Sequence, residues 1–186
     1  MPEDKVFSDL TETMRKAAAA LNEAQVPFML AGGLAAAARG GPPSEHDVDF
    51  LCTEEDAERA LEVLERAGFR PERPPENWLF KAWDGDVFVD LIFGTSAGPV
   101  SEEMFERAEL LEVSAVRMQV AALEDIMVTK LCALDEQALD LQSSLQVARA
   151  LREKIDWAVV RERTKASPYA RAFIFLCEEL GVLERV

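Results

Sequence analysis

An α/β fold, with a mixed β-sheet flanked by helices and a helical C-terminal region, is what this sequence predicts, on three observations. Short apolar segments of strand length alternate with longer segments of helical period up to about residue 120. From Leu123 onward only helical patterns follow. With 49% hydrophobic residues, a chain of 186 residues can bury a sizeable core, as one domain or one with an appendage.

In order, Phe7 to Ala24 reads as a helix, because Leu10, Met14, Ala17, Ala18 and Leu21 fall on one side at helical spacing. Pro27 to Ala31 is a short buried strand stopped by Gly32-Gly33, and the alanine-rich Leu34 to Arg39 is helical until Gly40-Gly41-Pro42-Pro43 breaks it. Asp47 to Cys52 is the next strand. Thr53 is placed to cap the helix Glu54 to Ala67, and Glu55 and Asp56 complement its positive end. Trp78 to Trp83 and Val87 to Phe93 form a hairpin around Asp84-Gly85-Asp86. Leu110 to Val113 and Val116 to Val120 are further strands, and about four helices follow, punctuated by Pro168 and Gly181. The expected organisation is an α/β unit over residues 1–120 and a helical region over 121–186, packed together with a cleft between them.

Composition excludes several functions. No apolar run reaches the roughly 18 residues a membrane span needs, and the first twenty residues lack a basic start leading into an apolar stretch, so a cytoplasmic protein without a membrane partner is expected. Cys52, Cys132 and Cys177 are odd in number and without paired spacing, which disfavours a disulfide framework or a zinc cluster. The net charge of −15 repels polyanions and argues against nonspecific duplex DNA binding. That charge is uneven: residues 1–140 carry −17 and residues 141–186 carry +2. Arg149, Arg152, Lys154, Arg161, Arg163, Lys165 and Arg171 of the late helices read first as solvated faces and second as a substrate-docking patch.

The chemistry concentrates in three acids. Asp47 and Asp49 stand two apart on one strand and share a face, while Val48 and Phe50 serve the other. Two carboxylates about 5 Å apart repel by roughly 3 kcal/mol at an effective dielectric near 20, a cost that a bound cation removes. Asp90 interrupts an apolar strand, where an ionised carboxylate needs a cation or an Arg or Lys beside it. Magnesium accepts one or two carboxylates together with phosphate oxygens, and three aspartates can bracket two such ions. Gly32-Gly33 would let backbone N–H groups approach phosphate, although a tight packing turn explains the pair equally well when taken alone. Lys130 falls inside the apolar stripe Leu123, Ile126, Met127, Leu131 and Leu134, so its stem either snorkels to the surface or carries the ammonium into the cleft to meet a phosphate. Asp140 lies at the edge of the next helix's stripe, and His46, the only histidine, reads as exposed, capping or positioning Asp47.

Taken together, Ala31-Gly32-Gly33, a spacer of thirteen residues, Asp47-Val48-Asp49-Phe50 and Val89-Asp90-Leu91 resemble the nucleotidyltransferase fold superfamily of the DNA polymerase β type. Residues 28–93 carry the resemblance, and within the superfamily the chain looks most like small bacterial members related to AbiEii-type toxin nucleotidyltransferases and aminoglycoside nucleotidyltransferases. The resemblance implies transfer of a nucleoside monophosphate from an NTP to a hydroxyl of tRNA, a small molecule or a protein, with release of pyrophosphate. It implies that Asp47 and Asp49 hold two magnesium ions, that Asp90 completes the metal site and helps activate the acceptor, and that Gly32-Gly33 cradles the terminal phosphates. Gly33 stands where many members have serine, and Ser44-Glu45-His46 where Arg-x-Thr often precedes the first acid; Arg39 is then the candidate for the missing positive charge. A catalytically degenerate binding module, such as a toxin–antitoxin component with an antitoxin or a second copy as partner, is the alternative. Haloacid dehalogenase-type phosphatases and sugar-nucleotide glycosyltransferases share Asp-x-Asp but fit the surrounding residues less well.

Overall fold

The computed structural model describes residues 2–43 and 47–185. Its centre is a seven-stranded sheet of β1 (Met29–Leu30), β2 (Val48–Leu51), β3 (Arg70–Glu72), β4 (Leu79–Asp84), β5 (Val87–Ile92), β8 (Glu109–Val113) and β9 (Val116–Val120), in the order β3-β4-β5-β2-β1-β9-β8. Two pairs are parallel, β2 with β5 and β1 with β9, and the rest are antiparallel. Two further strands, β6 (Gly94–Thr95) and β7 (Gly98–Pro99), form a separate small hairpin.

Two helices cover one face of the sheet. The first, α1 (Pro2–Glu23), buries the stripe Leu10, Met14, Ala17, Ala18 and Leu21 and begins further upstream than its apolar period suggests. The other, α3 (Glu54–Arg66), is capped by the Thr53 hydroxyl, which accepts from the backbone of Asp56 at 3.2 Å. These helices pack on each other and on β2 to β5. Val48, Phe50, Val89 and Leu91 are fully buried, which leaves the acids of the same strands on the opposite face.

Toward that opposite face lie α2 (Gly32–Ala38) and the C-terminal helices α5 (Leu123–Cys132), α6 (Leu141–Leu151), α7 (Trp157–Thr164) and α8 (Pro168–Glu179). The α5 helix is the hub, packing on α2, α6, α7 and α8. Its buried Asp125, 1% exposed, meets Arg107 of α4 (Glu102–Arg107) at 2.9 Å and Arg163 of α7 at 2.7 Å. Two guanidiniums thus satisfy one carboxylate and tie three helices together. Lys154 adds a further tie by donating to the carbonyl of Arg39 at 2.8 Å.

Several elements differ from expectation for local reasons. The strand expected over Pro27 to Ala31 is regular only at Met29 and Leu30: Pro27 has no N–H to extend it upstream, and Ala31 still donates to the Asp49 carbonyl at 2.9 Å as the chain turns into the glycines. Nothing in the sequence signals β3, because Pro71 sits in its middle; the sheet tolerates the proline because β3 is an edge strand. The β4–β5 turn is one residue tighter than its sequence suggests: Asp84 pairs with Val87, leaving Gly85 (φ +64°) and Asp86 as the loop. The thiols of Cys52 and Cys177 are buried and free, and Cys132 is free and half-buried. No helix among the described residues is long and apolar enough to cross a membrane.

Candidate active site

The strand register brings the three acids together. Asp49 on β2 and Asp90 on β5 are direct partners in the parallel pair, and Asp47 lies one alternation upstream of Asp49 on the same face. One carboxylate oxygen from each of Asp47, Asp49 and Asp90 lies within 4.8 Å of the others, a grouping that could hold a metal ion. Burial, then the charge of Asp47, then that of Asp90 push the Asp49 carboxyl up to about 7, while Lys130 and Lys81 pull it down by less. Burial also raises Asp90, against the hydrogen bond and charge of Lys81. Three carboxylates so placed repel one another; Lys81 compensates Asp90 in part, and a divalent cation would relieve the remainder. The donor set, all hard oxygens, suits such an ion.

Gly32 makes the arrangement sterically possible. A Cβ on Gly32 would lie 1.8 Å from Asp49 Oδ2, and the residue sits at φ +59°, a conformation that L side chains rarely adopt. The glycine therefore has a function beyond that of an open backbone: it vacates the space that the carboxylate occupies. Gly33 follows in the first turn of α2, and both glycines line a cavity of about 1170 Å³ together with Asp47 and Asp49.

Lys130 reaches this cavity from α5, its ammonium donating to the Ser143 hydroxyl of α6 at 3.0 Å. Of the two orientations open to it, the stem carries the charge inward. Asp140 is accounted for by its local geometry, since it caps α6 by accepting from the Ser143 backbone at 3.1 Å.

Arg39 requires a correction. Expected to supply charge to a nucleotide, it instead donates to the carbonyls of Ala121 and Val120, each at 3.0 Å, and pairs with Glu109 at 3.0 Å. Its side chain is 9% exposed and is absent from the cavity lining. The guanidinium binds the C-terminal end of α2 to β9 and β8, satisfying carbonyls where the β9 ladder ends. Ser44, Glu45 and His46 lie outside the described residues, so the positioning role considered for His46 falls there too.

Sequence reasoning missed Lys81, whose ammonium donates to Asp90 Oδ1 at 2.7 Å. The signal was present in the hairpin: with Gly85-Asp86 as the two-residue loop, Lys81 is the cross-strand partner of Asp90, whereas a three-residue loop shifts the register by one. Also unforeseen were Glu54, Asn77 and Trp78, the β6–β7 hairpin, and Gln142, Ser143 and Gln146 of α6, all of which line the cavity. These come from separate segments, and only the tertiary fold gathers them.

Known proteins share this fold. A family model described as an uncharacterised nucleotidyltransferase matches residues 8–180. No curated protein matches the chain. Among solved structures, the crystal structure of ANT(2″)-Ia in complex with adenylyl-2″-tobramycin is similar with a TM-score of 0.61 at 18% identity, covering 84% of this chain and 98% of that one. The solution structure of the antibiotic-resistance factor ANT(2″)-Ia gives 0.66 at 16% identity, covering 94% and 97%. A crystal structure from H. pylori, of a protein assigned as a nucleotidyltransferase, gives 0.52 at 16% identity, covering 91% and 82%. At these identities the likeness is one of fold.

Proposed function

The chain belongs to the family described as uncharacterised nucleotidyltransferase, and on that premise we propose that it moves a nucleoside monophosphate from a magnesium-bound NTP to a hydroxyl acceptor, releasing pyrophosphate. The observation that carries this reading is the convergence of Asp47, Asp49 and Asp90 within 4.8 Å, beside a glycine whose missing Cβ makes room for one of them.

In this reading Asp47 and Asp49 hold two magnesium ions during turnover, with Asp90 as the third ligand. Bound there, magnesium would neutralise phosphate charge and polarise the reacting oxygens. Gly32 and Gly33 face the β and γ phosphates, and Lys130 adds a positive charge from the other wall of the cavity. The acceptor oxygen forms a bond to the α-phosphorus, the bond from that phosphorus to the β-phosphate oxygen breaks, and its electron pair leaves with pyrophosphate. Asp90 takes the hydroxyl proton. Lys81 donates to its Oδ1 and holds the carboxylate in place.

The division into an α/β unit through residue 120 and a helical region after it fits this scheme, the first supplying the acids and the second Lys130. We place the protein in the cytoplasm, where NTP and magnesium are both at hand. Incubation with Mg²⁺ and each of four α-³²P-NTPs, with tRNA, amino sugars and cell lysate as acceptors, tests the proposal. Label should move to an acceptor with the wild type and not with Asp49→Ala. Indistinguishable binding of Mg-NTP by the two proteins would reject the site assignment.

A further inference from the structure

We propose that Lys81 is an exchangeable counter-cation of the acid triad: it yields the Asp90 carboxylate to a divalent ion and moves one strand outward to Glu72. The inference rests on the reading of the triad as a metal site and adds to it the residue that sets the affinity of that site.

The sheet register lays four charged groups in one row. Glu72 of β3 is the cross-strand partner of Lys81 on β4, Lys81 is that of Asp90 on β5, and Asp90 is that of Asp49 on β2. Directly paired residues present their side chains on the same face, on strands about 4.8 Å apart. One ammonium therefore stands between two carboxylates. Asp90, on its inner side, belongs to the triad, and Glu72, on its outer side, does not.

The hold on Asp90 is of a kind that can be exchanged. Lys81 donates to Asp90 Oδ1 at 2.7 Å, its one hydrogen-bond partner among the described residues. Asp125, by contrast, is gripped by both arms of Arg107 and by Arg163. A bidentate guanidinium is fixed by its fork geometry, whereas an ammonium is a point charge on a flexible stem and re-aims readily. Two cations on one carboxylate repel, so ligation of a metal by Asp90 drives the ammonium off. The Lys81–Asp90 bond then belongs to the protein before metal arrives, and holds the carboxylate in position for it.

Glu72 offers the displaced ammonium a second seat. Its carboxylate is steadied by the Trp83 indole, whose Nε1 donates to Oε2 at 2.6 Å, while Oε1 accepts no hydrogen bond among the described residues. Arg70 stands 4.0 Å from the same Oε2 and leaves Oε1 to Lys81. The Lys81 ammonium also lies 4.0 Å from the centroid of the Phe88 ring, whose attraction keeps the charge on this face whichever carboxylate it pairs with.

Binding of Mn²⁺ to the nucleotide-free protein, read from the electron paramagnetic resonance of the free ion, tests the exchange in a double-mutant cycle. Lys81→Met should bind Mn²⁺ about tenfold more tightly than wild type, since no resident charge has to be moved. Glu72→Gln should weaken Mn²⁺ about threefold when Lys81 is present and by less than about twofold in the Lys81→Met background, because Glu72 acts through the displaced ammonium. A second readout starts from wild type alone: the indole N–H resonance of Trp83, assigned by its loss in Trp83→Phe, should shift when Mg²⁺ is added. In Lys81→Met it should stay in place. Equal or weaker Mn²⁺ binding by Lys81→Met would make Lys81 a fixed support of Asp90 and overturn the proposal. Equal effects of Glu72→Gln in both backgrounds, or a Trp83 resonance that Mg²⁺ leaves unmoved in wild type, would overturn it as well. Failure of wild type and Lys81→Met alike to bind Mn²⁺ is a different result, which defeats the metal-site reading and this inference with it.

Discussion

Two acidic sites face opposite electrostatic conditions in this molecule. Asp125, 1% exposed, is flanked by Arg107 and Arg163 at 2.9 and 2.7 Å and accepts both arms of Arg107. Asp49 instead has two more carboxylates as its near charges, with Lys130 and Lys81 pulling less strongly than burial and the acids push. A carboxylate that serves the fold is compensated inside the fold. A carboxylate left uncompensated is stable only if something outside the chain supplies the charge, and that contrast motivates the proposed ligand site more sharply than the acid count alone.

Asp49→Ala should lower nucleotidyl transfer by about a thousandfold or more, as loss of electrostatic stabilisation at a reacting phosphate does, while leaving the far-ultraviolet circular dichroism spectrum unchanged. Residual turnover within tenfold of wild type would show that the triad does not hold the reacting complex. Asp125→Ala should do the reverse. Leaving two arginines beside a void costs about 3–5 kcal/mol, or a fall in Tm of roughly 10 °C for a chain of this size, read by differential scanning calorimetry. An unchanged Tm would mean the three-helix ion cluster contributes nothing.

Next comes Lys130→Ala, expected to weaken Mg-NTP binding about tenfold, equivalent to ~1.4 kcal/mol, with little change in Tm. Arg39→Ala sharpens the point by inversion. Its guanidinium serves carbonyls of β9 and Glu109, so it should lower Tm by a few degrees and leave nucleotide affinity as it is. If Arg39→Ala weakened the nucleotide more than Lys130→Ala, the roles given to the two cations would be reversed.

Much of this contrast could be read from residue order, and the unreadable part has physical causes. Asp47, Asp49 and Asp90 are visible because strand alternation fixes which side chains share a face, and the later strand adds its acid at a definite place. Gly32 is visible as a turn former, but the 1.8 Å conflict with Asp49 depends on β1 lying beside β2, which no local pattern encodes. Lys81 was hidden by a single residue of turn length, because a one-residue slip moves every side chain to the other face. Arg39 misled for the opposite reason. Its closeness in sequence to the glycines suggested the cavity, yet the last turn of α2 points it toward β9. Asp125, Arg107 and Arg163 meet only through packing of α4, α5 and α7, and Trp78 reads as the start of a strand until Gly94 is seen to hold its backbone at the rim.

In the proposed function the acid triad destabilises the fold until a divalent cation binds, and that effect has a definite pH sign. A carboxyl raised to about 7 in the fold from an ordinary value of 3.8 favours the folded state where it is protonated. That contribution is complete below the unfolded value and is lost as pH rises through about 7. Mg²⁺ competes with this proton, so its affinity should fall as pH drops below 7. The most direct measurement is thermal unfolding of wild type and Asp49→Asn at pH 8, each in EDTA and in excess Mg²⁺. Asp49→Asn should melt several degrees above wild type in EDTA, and Mg²⁺ should raise wild type but scarcely move the variant. Equal melting of the two proteins in EDTA, with equal gains from Mg²⁺, would contradict it.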